Sequence, residues 1–251
     1  MRISNRVLAA AAACCSVAMI GHTAYADMTY NSAVTIGVEP ASVWVSWNTI
    51  APFTVTANAG TLINGTFNIF NNATVNMSGG RVTNSVTTDN NSRFNLTGGT
   101  ITQGVVAEHS SSFFFSGGVI GDGTSQTTLR NTARFDMTGG TFAGLLFVVD
   151  GNSLFNLAGG TFSVPITLQG SGTINLYGTN LRILATSVQT NQTIFTLAGT
   201  LADGTVLNNL RITRPTAAAS TASFHLLAVP TPGSAALAGV GVVAAFGRRR
   251  G

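Results

Sequence analysis

No lysine occurs in this chain, and charged residues of any kind make up only 8% of it. All 12 basic residues are therefore arginines, and five of them (Arg2, Arg6, Arg248, Arg249 and Arg250) sit at the two extremities. The span between them carries seven arginines against eight acids, a net charge of −1. A nucleic-acid partner needs a basic patch to neutralise phosphates, and this span has none. The sequence pI of 9.8 thus describes the ends rather than a working surface. Cysteine is nearly absent too: Cys14 and Cys15 stand together in an apolar run near the N-terminus. With that run removed, no disulfide frame, thiolate nucleophile or Cys-based metal site remains. No apolar run reaches the length of a permanent membrane span. Ala235–Gly247 has 13 residues, about 20 Å as a helix, short of a hydrocarbon core of about 30 Å.

What is present at the ends reads as sorting information. "MRISNR" supplies two arginines, "VLAAAAACCSVAMIG" an apolar core, and "AYA" small residues at Ala24 and Ala26. This order predicts a signal peptide over residues 1–26, cut by signal peptidase to leave Asp27 as the new N-terminus. Alanines precede both cysteines, which argues against a lipoprotein site. At the other end Val229-Pro230-Thr231-Pro232 leads into the short apolar run and the three arginines. Basic residues retained on the cytoplasmic side would hold such a run transiently, for cutting. An ordinary C-terminal anchor is the alternative. Both ends are expected as cleavable helices.

The middle repeats. "TVNMSGG", "RFNLTGG", "SFFFSGG", "RFDMTGG" and "LFNLAGG" recur, with a degenerate "TINLYGT" after them. The glycine pairs are Gly79-Gly80, Gly98-Gly99, Gly117-Gly118, Gly139-Gly140 and Gly159-Gly160. Their spacings of 19, 19, 22 and 20 residues mark a solenoid array. Four residues before the first glycine stand Val75, Phe94, Phe113, Phe135, Phe155 and Ile174. Two before it stand Met77, Leu96, Phe115, Met137, Leu157 and Leu176. Asn76, Asn95, Phe114, Asp136, Asn156 and Asn175 lie between. Apolar–polar–apolar is the period of a strand. A second strand starts after the glycines at Val82, Ile101, Ile120, Phe142 and Phe162, and a third apolar stretch follows in mid-repeat.

These columns predict an all-β chain: a parallel β-helix of about six coils of ~20 residues. Rungs ~4.8 Å apart give an axis of ~29 Å, with phenylalanines stacked inside and asparagines laddered outside. The glycine pairs form the corners, where φ > 0 is needed. The expected organisation is a strand cap over 27–60, coils over 61–180, a β segment and linker over 181–228, and a sorting signal over 229–251. In the cap, Trp44 and Trp47 read as core, with a sugar-stacking platform as the alternative. "TIFTLAGTLADGTVLNNLRI" reads as two strands about an Ala-Asp-Gly turn. Residues 215–223, "PTAAASTAS", read as a flexible linker.

Chemistry is thin. Asp89, Glu108, Arg130 and Asp150 share one position of the repeat, so Asp89 and Glu108 fall ~5 Å apart on adjacent rungs. Carboxylates that close can share a proton or a calcium ion; the plainer reading is a solvated edge offset by Arg130. His109 stands beside them as the general-base alternative. "GGVIGDGTS" departs from a calcium nonapeptide by one displaced glycine and occurs once, so it reads as a loop. No catalytic, cofactor or metal residue is assigned, and the chain is not expected to be an enzyme.

The C-terminal segment resembles the PEP-CTERM class of bacterial sorting signals, with Thr231 where that class usually has Glu. The resemblance implies transient inner-membrane anchoring, processing by an exosortase-type enzyme, and delivery to the cell surface or extracellular matrix. The repeats resemble the Gly-Gly β-solenoids of bacterial surface proteins and autotransporter passengers, which implies a fold and an address rather than a reaction. The expected role is structural or adhesive, with extracellular polysaccharide as a possible partner. A polysaccharide-binding or polysaccharide-cleaving β-helix is the alternative.

Overall fold

A computed structural model describes residues 28–39, 41–45, 52–216 and 221–229. Every regular element among them is a strand, and parallel strands stack into a β-solenoid of about seven turns. Each turn has a long face, a short corner face and a third face. The long face runs through Ala73–Met77, Arg93–Leu96, Ser112–Phe115 and the first halves of Arg134–Phe142 and Leu154–Phe162. The corner face holds pairs such as Arg81–Val82, Thr100–Ile101 and Val119–Ile120, and the third face strands such as Val86–Thr88 and Val105–Ala107.

Register is exact along the long face. Val34, Val55, Val75, Phe94, Phe113, Phe135, Phe155, Ile174 and Phe224 are successive partners. Strand alternation turns this column inward, and the five-membered run from Phe94 to Ile174 is fully buried. Phe94, Phe113 and Phe135 stack nearly flat, with centroids 4.9 and 4.8 Å apart. Below them the rings turn: Phe135 meets Phe155 edge-on at 5.7 Å, and Phe147 from the third face stacks on Phe155 at 4.4 Å. Burial of each ring contributes about 1.5–3 kcal/mol, and each ring pair about 0.5–1.5 kcal/mol more.

The two glycines of a corner are needed for different reasons. The second has positive φ in every pair, from 81° at Gly80 to 99° at Gly118. The first does not, but a Cβ on Gly98 or Gly117 would lie 2.5 Å from the carbonyl oxygen of Ser78 or Thr97 on the rung before. One glycine supplies the bend and the other the close approach of the coils. The 22-residue coil takes up its extra length in the loop at Asp122–Ser125, between Val119–Ile120 and Gln126–Leu129.

The segment expected as a separate cap is built from coils. Met28–Tyr30 pairs in parallel with Val43–Val45, which pairs with Phe67–Ile69; Val34–Glu39 pairs with Phe53–Ile63. Among the described residues, the first coil carries a polar pair at inward positions. Tyr30 and Glu39 occupy inward columns above Val45 and Ile63, and the Tyr30 hydroxyl donates to Glu39 Oε1 at 2.6 Å. Burial, then the bond to Glu39 and its charge, push the Tyr30 phenol well above its ordinary range. Trp44 stacks on Phe70 at 5.5 Å; Trp47 lies outside the described residues.

At the other end the ladder reverses. Thr173–Gln189 leaves the long face and runs antiparallel to Gln192–Leu201, which runs antiparallel to Val206–Pro215. The expected turn is there, closed by the Leu201 N–H on the Thr205 carbonyl at 2.8 Å. Of the stretch 215–223 expected as a linker, residues 217–220 lie outside the described residues, and its described ends are held. Pro215 ends a strand and Ser223 begins one. The Thr221 N–H bonds Gly170, and Ala222 is 2% exposed. Ser223–Ala228 then adds a last parallel rung beside Thr173–Gly178. Ala24, Ala26, Asp27, Pro230, Thr231, Pro232 and Arg248–Arg250 lie outside the described residues.

Candidate functional site

The carboxylates singled out by their repeat position do come together, on a ridge of turns. Asp89, Glu108, Arg130 and Asp150 each donate a backbone N–H to the preceding rung, so their register survives the longer coil. The next residue in each turn is left-handed: Asn71, Asn90, His109, Asn131, Gly151 and Gly170 have φ between 51° and 66°. Asn and Gly suit that conformation, and the series is visible in the sequence once the turns are aligned. His109 is the exception in this row. Its Nδ1 lies 2.5 Å from Asp89 Oδ1, and Arg130 Nη1 donates to Glu108 Oε1 at 2.8 Å.

Asp89, Glu108 and His109 thus place one ligand-type atom each within 4.8 Å of one another. Such donors suit a divalent cation, but each carboxylate already has a cationic or imidazole partner. His109 and Arg130 are more than half exposed, and a projecting ridge does not exclude water from a substrate. The arrangement is two surface pairs on consecutive turns, each worth little in water.

The second candidate lies on the outward side of the long face. Asn95 Nδ2 donates to Asn76 Oδ1 at 2.7 Å, Asn156 Nδ2 to Asp136 Oδ1 at 2.6 Å, and Asn175 Nδ2 to Asn156 Oδ1 at 2.9 Å. This is the expected ladder, broken once, at Phe114. The Arg93 guanidinium lies 4.1 Å from the Phe114 ring centroid and that of Arg134 lies 6.0 Å away. Arg134 also binds Asp136 Oδ2 through Nε at 2.7 Å. Below Phe114 an open groove of about 320 Å³ runs over Thr138 and Ala158 to Tyr177. Sequence reasoning assigned no role to Phe114 or Tyr177. Their signal was the departure of each from its column: an aromatic among Asn and Asp, and another among Ser, Thr and Ala.

Two acidic turns lie away from the ridge and the groove. Asp122 Oδ1 accepts from the N–H and hydroxyl of both Thr124 and Ser125. The two Thr124 bonds first, then the Ser125 hydroxyl, lower its carboxyl to about 2. The carboxylate is consumed by its own loop, as the loop reading of "GGVIGDGTS" expects. Asp203, in the hairpin turn, accepts the Gly160 N–H at 2.6 Å and the Thr205 N–H at 2.9 Å. Desolvation pushes its carboxyl up, but these bonds and the Thr205 hydroxyl outweigh that and hold it below its ordinary value. No protein-family model matches the chain, and no curated protein or solved structure matches it.

Proposed function

We propose that this chain is an exported structural or adhesive β-solenoid, displayed at the cell surface or in the extracellular matrix, and that it is not an enzyme. Signal peptidase would free Asp27, and an exosortase-type enzyme would act near Val229-Pro230-Thr231-Pro232 while Arg248–Arg250 hold the precursor at the inner membrane. One observation carries the reading. The described residues stack into a parallel β-solenoid of about seven turns, and a build in which each surface position recurs once per coil suits an extended structural or adhesive surface. The Asp89–Glu108 ridge supports a non-catalytic role, since its carboxylates are already paired in the open.

Mass spectrometry of the protein recovered from its own cells tests this. Terminal peptides beginning at Asp27 and ending near Pro232 are expected. Recovery of a chain that retains residues 233–251 on the cell surface would refute the processing, and an intact residue 1–26 segment would refute export by this route.

A further inference from the structure

We infer that the groove between Phe114 and Tyr177 is a binding subsite for a linear, uncharged polysaccharide. The inference deepens the adhesive reading and does not depend on how the chain is sorted.

A repeat protein carries its own control, because each position is sampled once per coil. The outward column of Asn76, Asn95, Asp136, Asn156 and Asn175 shows what serves the fold: side chains that hydrogen-bond from rung to rung. Phe114 interrupts it, leaving Asn95 and Asp136 without the neighbour that would join them. The next outward column is Ser78, Thr97, Ser116, Thr138 and Ala158, and there the aromatic is Tyr177. Neither ring reaches the core, so neither departure adds to the buried phenylalanine column. Both nevertheless line the same groove.

The chemistry between the rings selects the ligand class. Three rungs separate Phe114 from Tyr177, about 14 Å along the axis, and the floor of Thr138 and Ala158 is low. The groove is open, which suits a chain passing along it. Arg134 and Asp136 neutralise each other, so the lining itself carries no net charge, and the cation beside it, Arg93, is engaged on the Phe114 ring and on Asn95 Oδ1. Asn156, the ladder amide in the lining, spends one Nδ2 hydrogen on Asp136 and carries a second. Two aromatic rings beside the Asn156 amide and the Thr138 hydroxyl match a sugar chain, which carries C–H faces and hydroxyls on one backbone. Such contacts are short-ranged and nearly indifferent to salt.

The test uses the exported protein purified from its cells, with laminarihexaose, cellohexaose, mannohexaose and xylohexaose as neutral probes and a polygalacturonate hexamer as the acidic one. Titration calorimetry is expected to find binding to at least one neutral probe, unchanged by 0.5 M salt to within roughly twofold. Phe114→Asn and Tyr177→Thr are each expected to weaken it by at least roughly tenfold. Phe114→Asn also rejoins the ladder, so its melting temperature should equal or exceed that of the parent. A merely structural Phe114 would lower the melting temperature instead, and that result overturns the proposal. So does binding retained by both variants, preference for the acidic hexamer, or no binding to any neutral probe. None of these outcomes bears on the terminal processing above.

Discussion

Alanine substitutions at four glycines separate the two demands that a coil corner makes. Gly37 is the control: a Cβ there meets nothing within 4 Å, and its φ is not positive. Gly37→Ala should be neutral or stabilise by about 0.4–1 kcal/mol, because it only narrows the unfolded ensemble. Gly123 has φ of 84° and open space around it, so Gly123→Ala meets backbone strain alone, about 1–2 kcal/mol. Gly117 has an ordinary φ, but its Cβ would lie 2.5 Å from the Thr97 carbonyl oxygen. The obstacle is backbone in the neighbouring rung, so relief needs the coils to part, an overpacking cost of about 1–3 kcal/mol. Gly118 meets both demands: φ of 99° and a Cβ 2.5 Å from the Gly99 oxygen and 3.0 Å from the Gly98 carbonyl carbon. Gly118→Ala should therefore cost about 2–5 kcal/mol, the strain and the overpacking together. Urea titration followed by circular dichroism, comparing midpoints and slopes across the series, measures the order. A Gly118→Ala midpoint no lower than that of Gly123→Ala would refute the claim that rung-to-rung approach, and not the bend alone, demands glycine.

Three further outcomes follow from the interior and the ends. Phe113 is fully buried and stacks on a ring above and a ring below; Phe113→Ala should lower unfolding free energy by about 3–5 kcal/mol in the same titration. Ser111 and Ser153 occupy one buried position on different coils, but only Ser111 is bonded, to Thr88. Ser111→Ala should destabilise by about 1–2 kcal/mol, whereas Ser153→Ala should be neutral or stabilise by about 1 kcal/mol, read as opposite shifts in melting temperature. Asp203 has a folded pKa below its ordinary value, so the ionised form favours the docked hairpin turn. That contribution is present above the ordinary carboxyl range and is lost as pH falls through the folded value. Protection factors at the Gly160 and Thr205 amides, taken relative to the intrinsic exchange rate at each pH, should fall on acidification in the parent, and in Asp203→Ala should be low already at neutral pH.

The coils were legible where the diglycine was, because a fixed spacing in sequence becomes a fixed rung in space. The same period continues upstream: Val34, Val55 and Val75 are register partners, 21 and 20 residues apart in the chain. What is missing there is the signature. The corner at Asn58–Thr61 is made by an Asn58 side chain accepting the Gly60 N–H and a Thr61 hydroxyl accepting the Asn58 N–H. Side-chain hydrogen bonds thus replace a glycine pair, and an alignment keyed to glycine passes over them. The reversal after Gly178 was hidden for another reason: apolar alternation is the same whether a strand pairs in parallel or antiparallel, so the 17-residue strand gives no local notice of changing partners. The ridge shows the limit most plainly. The position shared by Asp89, Glu108 and Arg130 was readable, and their adjacency followed from it. Which acid would take which partner was not, since Arg130 reaches back 22 residues to Glu108 and His109 reaches back 20 to Asp89. Those choices depend on side-chain reach over a left-handed turn that only Asn, His and Gly occupy. In a solenoid the column pattern states the fold, and functional readings must be sought where a column is broken without benefit to the core, as it is at Phe114 and Tyr177.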